Sequence, residues 1–189
     1  MDYEEKNMII DNFRINDHGK IFIIAEIGMN HNGFYDKAIE LIDIAIKAGA
    51  DCVKFQMRCL EELYSQDALD VSKGDLSTQY TIGLLRKFEL SYDEYKKLAK
   101  YCHDNNIIFL CTPWDIKSAD LIEKIGVSAY KVASADMTNY ALLDHLCEKG
   151  KPLILSTGMS KKSEIDNVVK YLNSKKKKVK FALLHCNST

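Results

Sequence analysis

Two lysines interrupt apolar runs of this chain: Lys54 in DCVKFQ (Asp51 to Gln56) and Lys131 in AYKVAS (Ala129 to Ser134). Side-chain alternation along a strand sets Lys54 on the same face as Gln56. A solvated edge strand would account for one such lysine, but helical segments flank this run. Aimed into a common mouth, the two ammonium groups make a strong anion site, because their charges add where water is scarce. Glu26 stands in a third apolar run, IFIIAEIG (Ile21 to Gly28). A buried carboxylate there needs a cation or a hydroxyl-rich ligand, and a purely structural pair with Lys54 is the plain alternative. Asp136, just beyond Ser134, is a second acid, and two carboxylates in one mouth suit proton transfer and hydroxyl binding.

Thr112, Ser134 and Ser156 also fall at the ends of apolar runs, where their hydroxyls can donate to phosphate or carboxylate oxygens. The STG turn and a helix start at Ser160 add backbone N–H groups. His31, in the NHNG loop, and His185, near the end of the last run, are each open to a metal or acid–base role or to a structural one.

The elements that must carry these residues follow from periodicity. Three further apolar runs are IIFLCTPW (Ile107 to Trp114), PLILSTG (Pro152 to Gly158) and FALLHCNS (Phe181 to Ser188). Between the runs, apolar residues recur at helical spacing. One helix covers Asp36 to Ala48 and stops at Gly49; one starts at a Ser91/Glu94 capping box, with Tyr95, Leu98, Ala99 and Cys102 as its stripe. Others are expected over about Ile116–Ile125 behind Asp115 as cap, over about Tyr140–Glu148 behind Asn139, and after Ser160.

Strands that are apolar on both faces, Ile21 to Ile24 and Pro152 to Leu155 especially, belong in a parallel sheet covered by helices. GMNHNG, after the first strand, lacks the GxGxxG spacing of a doubly wound nucleotide-binding sheet. Polar residues at the carboxyl ends of many strands fit the mouth of a barrel. The expected fold class is therefore α/β, a TIM-type (β/α)8 barrel. Eight strands need about 250 residues, so six strands in 189 residues read as a barrel truncated after about the sixth strand, the front part of a longer protein. The stretch from Met57 to Leu90 breaks the rhythm as a long polar insertion on the strand-end side, expected to act as a lid or substrate wall.

Composition excludes several classes. A hydrophobic share of 47% with 28% charged residues is that of a soluble globular chain, and a net charge of −1 argues against a nucleic-acid surface. The basic run Lys175 to Lys178 reads as a solvated turn into a strand. Six cysteines without a CxxC pair read as reduced, small hydrophobes. No run is of membrane length and no apolar leader opens the chain, so a cytoplasmic location is the default expectation.

The strings IIAEIGMNHNG, AGADCVKFQ, STQYTIGLLRKFELS, TPWD, YKVASADMTNY, KPLILSTGM and LLHCNST occur here in order from Ile21 to Thr189. In them the chain resembles the N-acetylneuraminate (sialic acid) synthase family, which includes the legionaminate and pseudaminate synthases. The resemblance implies a β/α barrel that condenses phosphoenolpyruvate with an N-acetylated amino sugar and releases phosphate. It implies a divalent metal, manganese or magnesium, that polarises the sugar aldehyde, and a homodimer at full length. By motif position Lys54, Lys131, Ser134 and Ser156 hold the phosphate, and Thr112 lies near the phosphoenolpyruvate carboxylate. Glu26 and Gln56 face the sugar, Trp114 lines the pocket, and Ser188 falls near a phosphate-contacting position. Asp136 stands where an acid would activate the water that attacks C2, with a shorter side chain than the Glu of many bacterial members.

Family members take their metal-binding histidines from segments after the sixth strand, and a C-terminal antifreeze-like domain lends an arginine to the partner's site. The expectation for this chain alone is part of the phosphoenolpyruvate pocket and no complete metal site. Two other readings stay open: an aldolase-type lyase with Lys131 as Schiff-base nucleophile, and a non-catalytic truncated barrel acting as a binding module.

Overall fold

Asp11 and Asn12 separate two short apolar runs, and this pair makes a hairpin turn not expected from the strand rhythm. In the computed structural model, which describes residues 7–16, 18–70 and 75–186, strand β1 (Met8–Ile10) pairs antiparallel with β2 (Phe13–Ile15). Asp11 takes a left-handed φ of 54°, a conformation Asp tolerates better than most residues. The signal was an Asp-Asn pair between apolar runs.

The described residues fall into two units, Ile24–Gly126 and the pair Met1–Ile23 with Val127–Thr189. In the first, β3 (Ile24–Gly28) is followed by α1 (Tyr35–Lys47), β4 (Cys52–Met57), α2 (Leu60–Leu63), α3 (Gln66–Leu69), α4 (Leu76–Phe88), α5 (Tyr92–Asp104), β5 (Ile108–Pro113) and α6 (Ile116–Ile125). The three strands form a parallel sheet in the order β3-β4-β5. The helices start and stop as the capping residues require. Ser91 and Glu94 close a capping box, Asp115 accepts from the Ser118 N–H, and Gly126 ends α6 in the left-handed region.

In the second unit, β6 (Tyr130–Val132), α7 (Tyr140–Lys149), β7 (Leu153–Ser156), α8 (Lys162–Ser174) and β8 (Phe181–Leu184) repeat the strand-helix rhythm, with a 3-10 turn at Ser134–Asp136. Its strands also run parallel, in the order β6-β7-β8. Asn139 caps α7 and Gly150 ends it. The cap of α8 is Lys161 rather than Ser160, because the Glu164 carboxylate reaches back to the Lys161 N–H at 2.7 Å.

Burial follows position in each sheet. Leu153, Ile154 and Leu155 of central β7 are buried, as expected of a strand covered on both faces. Ile21 and Ile23 are exposed against expectation: β3 begins only at Ile24 and is an outer strand of its sheet. In the core of the first unit, Phe55 stacks on Phe109 at 5.5 Å and meets Tyr95 edge-on at 6.4 Å.

The stretch from Met57 to Leu90, expected as a polar loop, is largely helical among its described residues. Ser65 and Asp75 cap α3 and α4 with their side chains. It is also pinned at its far end. Gly33, with φ of 80°, lies so close to the α4 terminus that a Cβ there would stand 2.3 Å from the Lys87 carbonyl oxygen. Only glycine lets the first strand-to-helix loop approach that backbone.

Candidate active site

Strand register assembles one cluster on a single face of the β3-β4-β5 sheet. Glu26 pairs with Lys54, Lys54 with Leu110, and Gln56 with Thr112, so these side chains point the same way. Lys54 is 6% exposed; its ammonium forms an ion pair with Glu26 and donates to Thr112 Oγ1 at 3.2 Å. The solvated-edge reading of Lys54 fails because β4 is the central strand. Glu26 departs from expectation in the other direction. Its side chain is 51% exposed, so its carboxylate keeps contact with water instead of depending on Lys54 alone. A register irregularity between Glu26 and Gly28 turns the strand end, and Glu26 Oε1 and Gln56 Nε2 both crowd the bare Cα of Gly28.

The β6-β7-β8 sheet carries a second cluster. Lys131, also 6% exposed, donates to its neighbour Val132's carbonyl at 2.7 Å and to Ser156 Oγ at 2.6 Å. Ser134 Oγ would lie 2.9 Å from a Cβ on Gly158, which puts the Ser134 hydroxyl against the STG turn. Asp136 is buried in the 3-10 turn and accepts from Asn139 Nδ2 at 3.1 Å. These two contacts fix the Lys131 nitrogen beside Ser156 at the strand end. Ser188 lies outside the described residues.

Three residues in the first unit were not singled out from the sequence. Arg58 Nη2 donates to Gln56 Oε1 at 2.7 Å, and Trp114 Nε1 donates to the same oxygen at 3.2 Å. The Arg58 guanidinium sits 5.0 Å from the Trp114 ring centroid. Behind it, Glu89 is mostly buried, and that burial pushes its carboxyl up to about 7 against the opposing pull of Tyr95 and Arg58. Tyr95 hydrogen-bonds both Glu89 and the Gln56 carbonyl. Arg58 was findable: alternation places it on the face of Lys54 and Gln56. Glu89 and Tyr95 sit 31 and more residues further along, and only folding brings them near.

His31 is fully buried, packs 5.9 Å from the Phe55 ring centroid, and accepts the Gly33 N–H through Nδ1 at 3.1 Å. Burial holds it below the usual imidazole range, so it is a neutral core histidine. His185 is exposed just past β8. Among the described residues no group of three His, Cys, Asp or Glu side chains could hold a metal ion. The described residues do not by themselves make the metal centre that the resemblance implies. The six cysteines are free thiols; burial raises Cys52 and Cys111 far above the ordinary range and Cys102 to about 12, which leaves them unreactive. Among the described residues no helix is long and apolar enough to cross a membrane.

The chain is 35% identical over 173 residues to the N,N'-diacetyllegionaminic acid synthase of Campylobacter jejuni, covering 89% of this chain and 52% of that protein. It is 34% identical over 173 residues to the human N-acetylneuraminate-9-phosphate synthase, covering 88% and 46%. It also superimposes on the crystal structure of an N-acetylneuraminic acid (sialic acid) synthetase from Leptospira borgpetersenii in complex with citrate, with a TM-score of 0.85 and 32% identity, covering 98% of this chain and 60% of that one. The chain thus spans about half the length of the curated relatives it matches. Residues 41–189 match the NeuB family, and on these grounds the chain belongs to that family.

Proposed function

We propose that the protein is a nonulosonic acid synthase, joining phosphoenolpyruvate to an N-acetylated amino sugar such as N-acetylmannosamine. C3 of phosphoenolpyruvate bonds to the sugar aldehyde carbon, water adds at C2, and the C2–O bond to phosphorus-bearing oxygen breaks to release inorganic phosphate. The observation that carries this reading is the buried ammonium of Lys131, held beside Ser156 at the carboxyl end of a parallel strand pair. A lysine fixed there by hydroxyl and carbonyl acceptors offers positive charge to an anion at little reorganisation.

In this reading Lys54, Lys131, Ser134 and Ser156 hold the phosphate, and Thr112 lies near the phosphoenolpyruvate carboxylate. Glu26, Gln56 and Trp114 face the sugar, and Asp136 accepts a proton from the attacking water. The sequential strand orders, without the reversal of a doubly wound sheet, support a β/α barrel. Family membership supports a cytoplasmic enzyme that works as a homodimer.

Calorimetric titration of the 189-residue chain with phosphoenolpyruvate tests the reading. Binding is expected in the wild type and lost in Lys131→Met. Phosphate release is then assayed with and without N-acetylmannosamine. No binding by a folded wild-type chain would sink the proposal.

A further inference from the structure

We propose that Arg58, held in place by Glu89 and Tyr95, is a positioning residue that locks the Gln56 amide with its nitrogen towards the ligand, making Gln56 a hydrogen-bond donor to the sugar. The donor role rests on the function proposed above; the positioning does not.

Arg58 Nη2 and Trp114 Nε1 are both donors only, and both point at the same atom of the Gln56 amide, at 2.7 and 3.2 Å. That atom must be the oxygen. Gln56 Nε2 is then turned to the other side, over Gly28, where a Cβ would stand 3.3 Å from it. A donor presented this way matches a sugar hydroxyl or an N-acetyl carbonyl, both acceptors.

Tyr95 links Glu89 to the Gln56 backbone. Tyr95 Oη lies 2.6 Å from the Gln56 carbonyl oxygen and 3.0 Å from Glu89 Oε1. The phenol has one proton, and the backbone carbonyl can only accept it. That proton is shared between the Gln56 carbonyl and Glu89, so Tyr95 ties the Glu89 carboxyl to the backbone of Gln56. Its other oxygen lies 3.9 Å from Arg58 Nε, and both atoms are buried without a hydrogen-bond partner among the described residues. A charged Glu89 would draw Arg58 across this gap and off the Gln56 oxygen. The charged and titratable groups around Glu89 are Arg58 and Tyr95, Asp115 at the head of α6, and Cys59, Glu61, Arg86, Tyr92 and Lys117, which line the same cleft.

Trp114 is the chain's single tryptophan and touches both Gln56 and Arg58, so its emission reports this arrangement directly. In a titration between about pH 5.5 and about pH 8.5, wild-type emission should change once, with its midpoint at about 7. Glu89→Gln, an amide analogue of the neutral acid, should abolish the change and keep the low-pH spectrum. Arg58→Met should also abolish it, and decides the matter if Glu89→Gln fails to fold by circular dichroism. A flat wild-type titration, or one that survives both substitutions, overturns the positioning. Quenching of Trp114 by N-acetylmannosamine supplies the second arm: affinity should fall about ten-fold or more in Arg58→Met. Equal affinities in the two proteins overturn the donor role. A wild type that titrates but never responds to the sugar overturns the substrate reading and leaves the positioning supported.

Discussion

Lys131 reaches diagonally across the β6–β7 pairing to Ser156: it is level with Ile154 and donates to the hydroxyl two residues further along, at 2.6 Å. Lys54 does the same across β4–β5, level with Leu110 and donating to Thr112 at 3.2 Å. In each case parallel register places a hydroxyl at the carboxyl end of the next strand, on the lysine's own face, and the long lysine stem lies along the strand to meet it.

Ser156→Ala removes one acceptor from a buried ammonium. The expected loss is about 1–3 kcal/mol of unfolding free energy, because a charged donor left short of partners keeps its desolvation cost. Lys131→Met in the same background should cost little more, since the charge that needed the hydroxyl is gone. Urea unfolding of the two single variants and the double variant measures the coupling. Additive losses would show that the 2.6 Å contact contributes nothing.

Lys54→Met conserves volume and removes a charge that is 6% exposed, while Glu26 stays solvated. Stability is expected to change by less than about 1.5 kcal/mol, in either direction. Phosphoenolpyruvate affinity should nevertheless fall by more than about ten-fold. Thermal melts and calorimetry on one preparation separate the two effects; a collapse in stability with binding kept would make Lys54 structural.

Asp115 accepts from the Cys59 N–H at 2.7 Å, the Ser118 N–H at 2.6 Å and the Ser118 hydroxyl at 2.8 Å. It caps α6 and ties the start of α2 to it. Asp115→Asn, which keeps one acceptor oxygen, is expected to cost less than Asp115→Ala. The alanine variant should lose about 2 kcal/mol or more, a cap plus an orphaned buried N–H. Equal losses in the two variants would contradict this role.

Two buried groups give the first unit opposite pH dependences. His31 is held below 6.5 by burial, so the unfolded chain binds a proton that the folded one refuses, and stability falls as pH drops below about 6.5. Glu89 is raised from 4.5 to about 7, so the folded chain binds the extra proton and stability rises as pH falls from about 7 towards 4.5. Between about pH 6.5 and pH 4.5 the two effects therefore oppose each other in the wild type. In Glu89→Gln only the His31 effect is left, and the denaturant midpoint should drop on acidification.

Local rules made much of the scaffold legible. Ser91 with Glu94, Asp115 with Gly126, and Asn139 with Gly150 bound their helices where capping chemistry puts them, because a cap acts within four residues of itself. The Asp11 turn was equally local and went unread. The helices between Leu60 and Phe88 were hidden by polar composition, since their caps at Ser65 and Asp75 lack a strong apolar stripe behind them.

Lys54, Gln56, Thr112, Lys131, Ser134, Asp136 and Ser156 stand out in the sequence because a polar residue in an apolar strand run needs a reason. Which of them meet is a matter of register, and register joins residues 25 or 58 positions apart through backbone pairing that no local pattern encodes. The exposure of Glu26, the burial of His31 and the raised carboxyl of Glu89 were likewise decided by packing. Residue type sets what a group can donate, accept or ionise; only its tertiary neighbours set the solvent and partners that determine which of these it does.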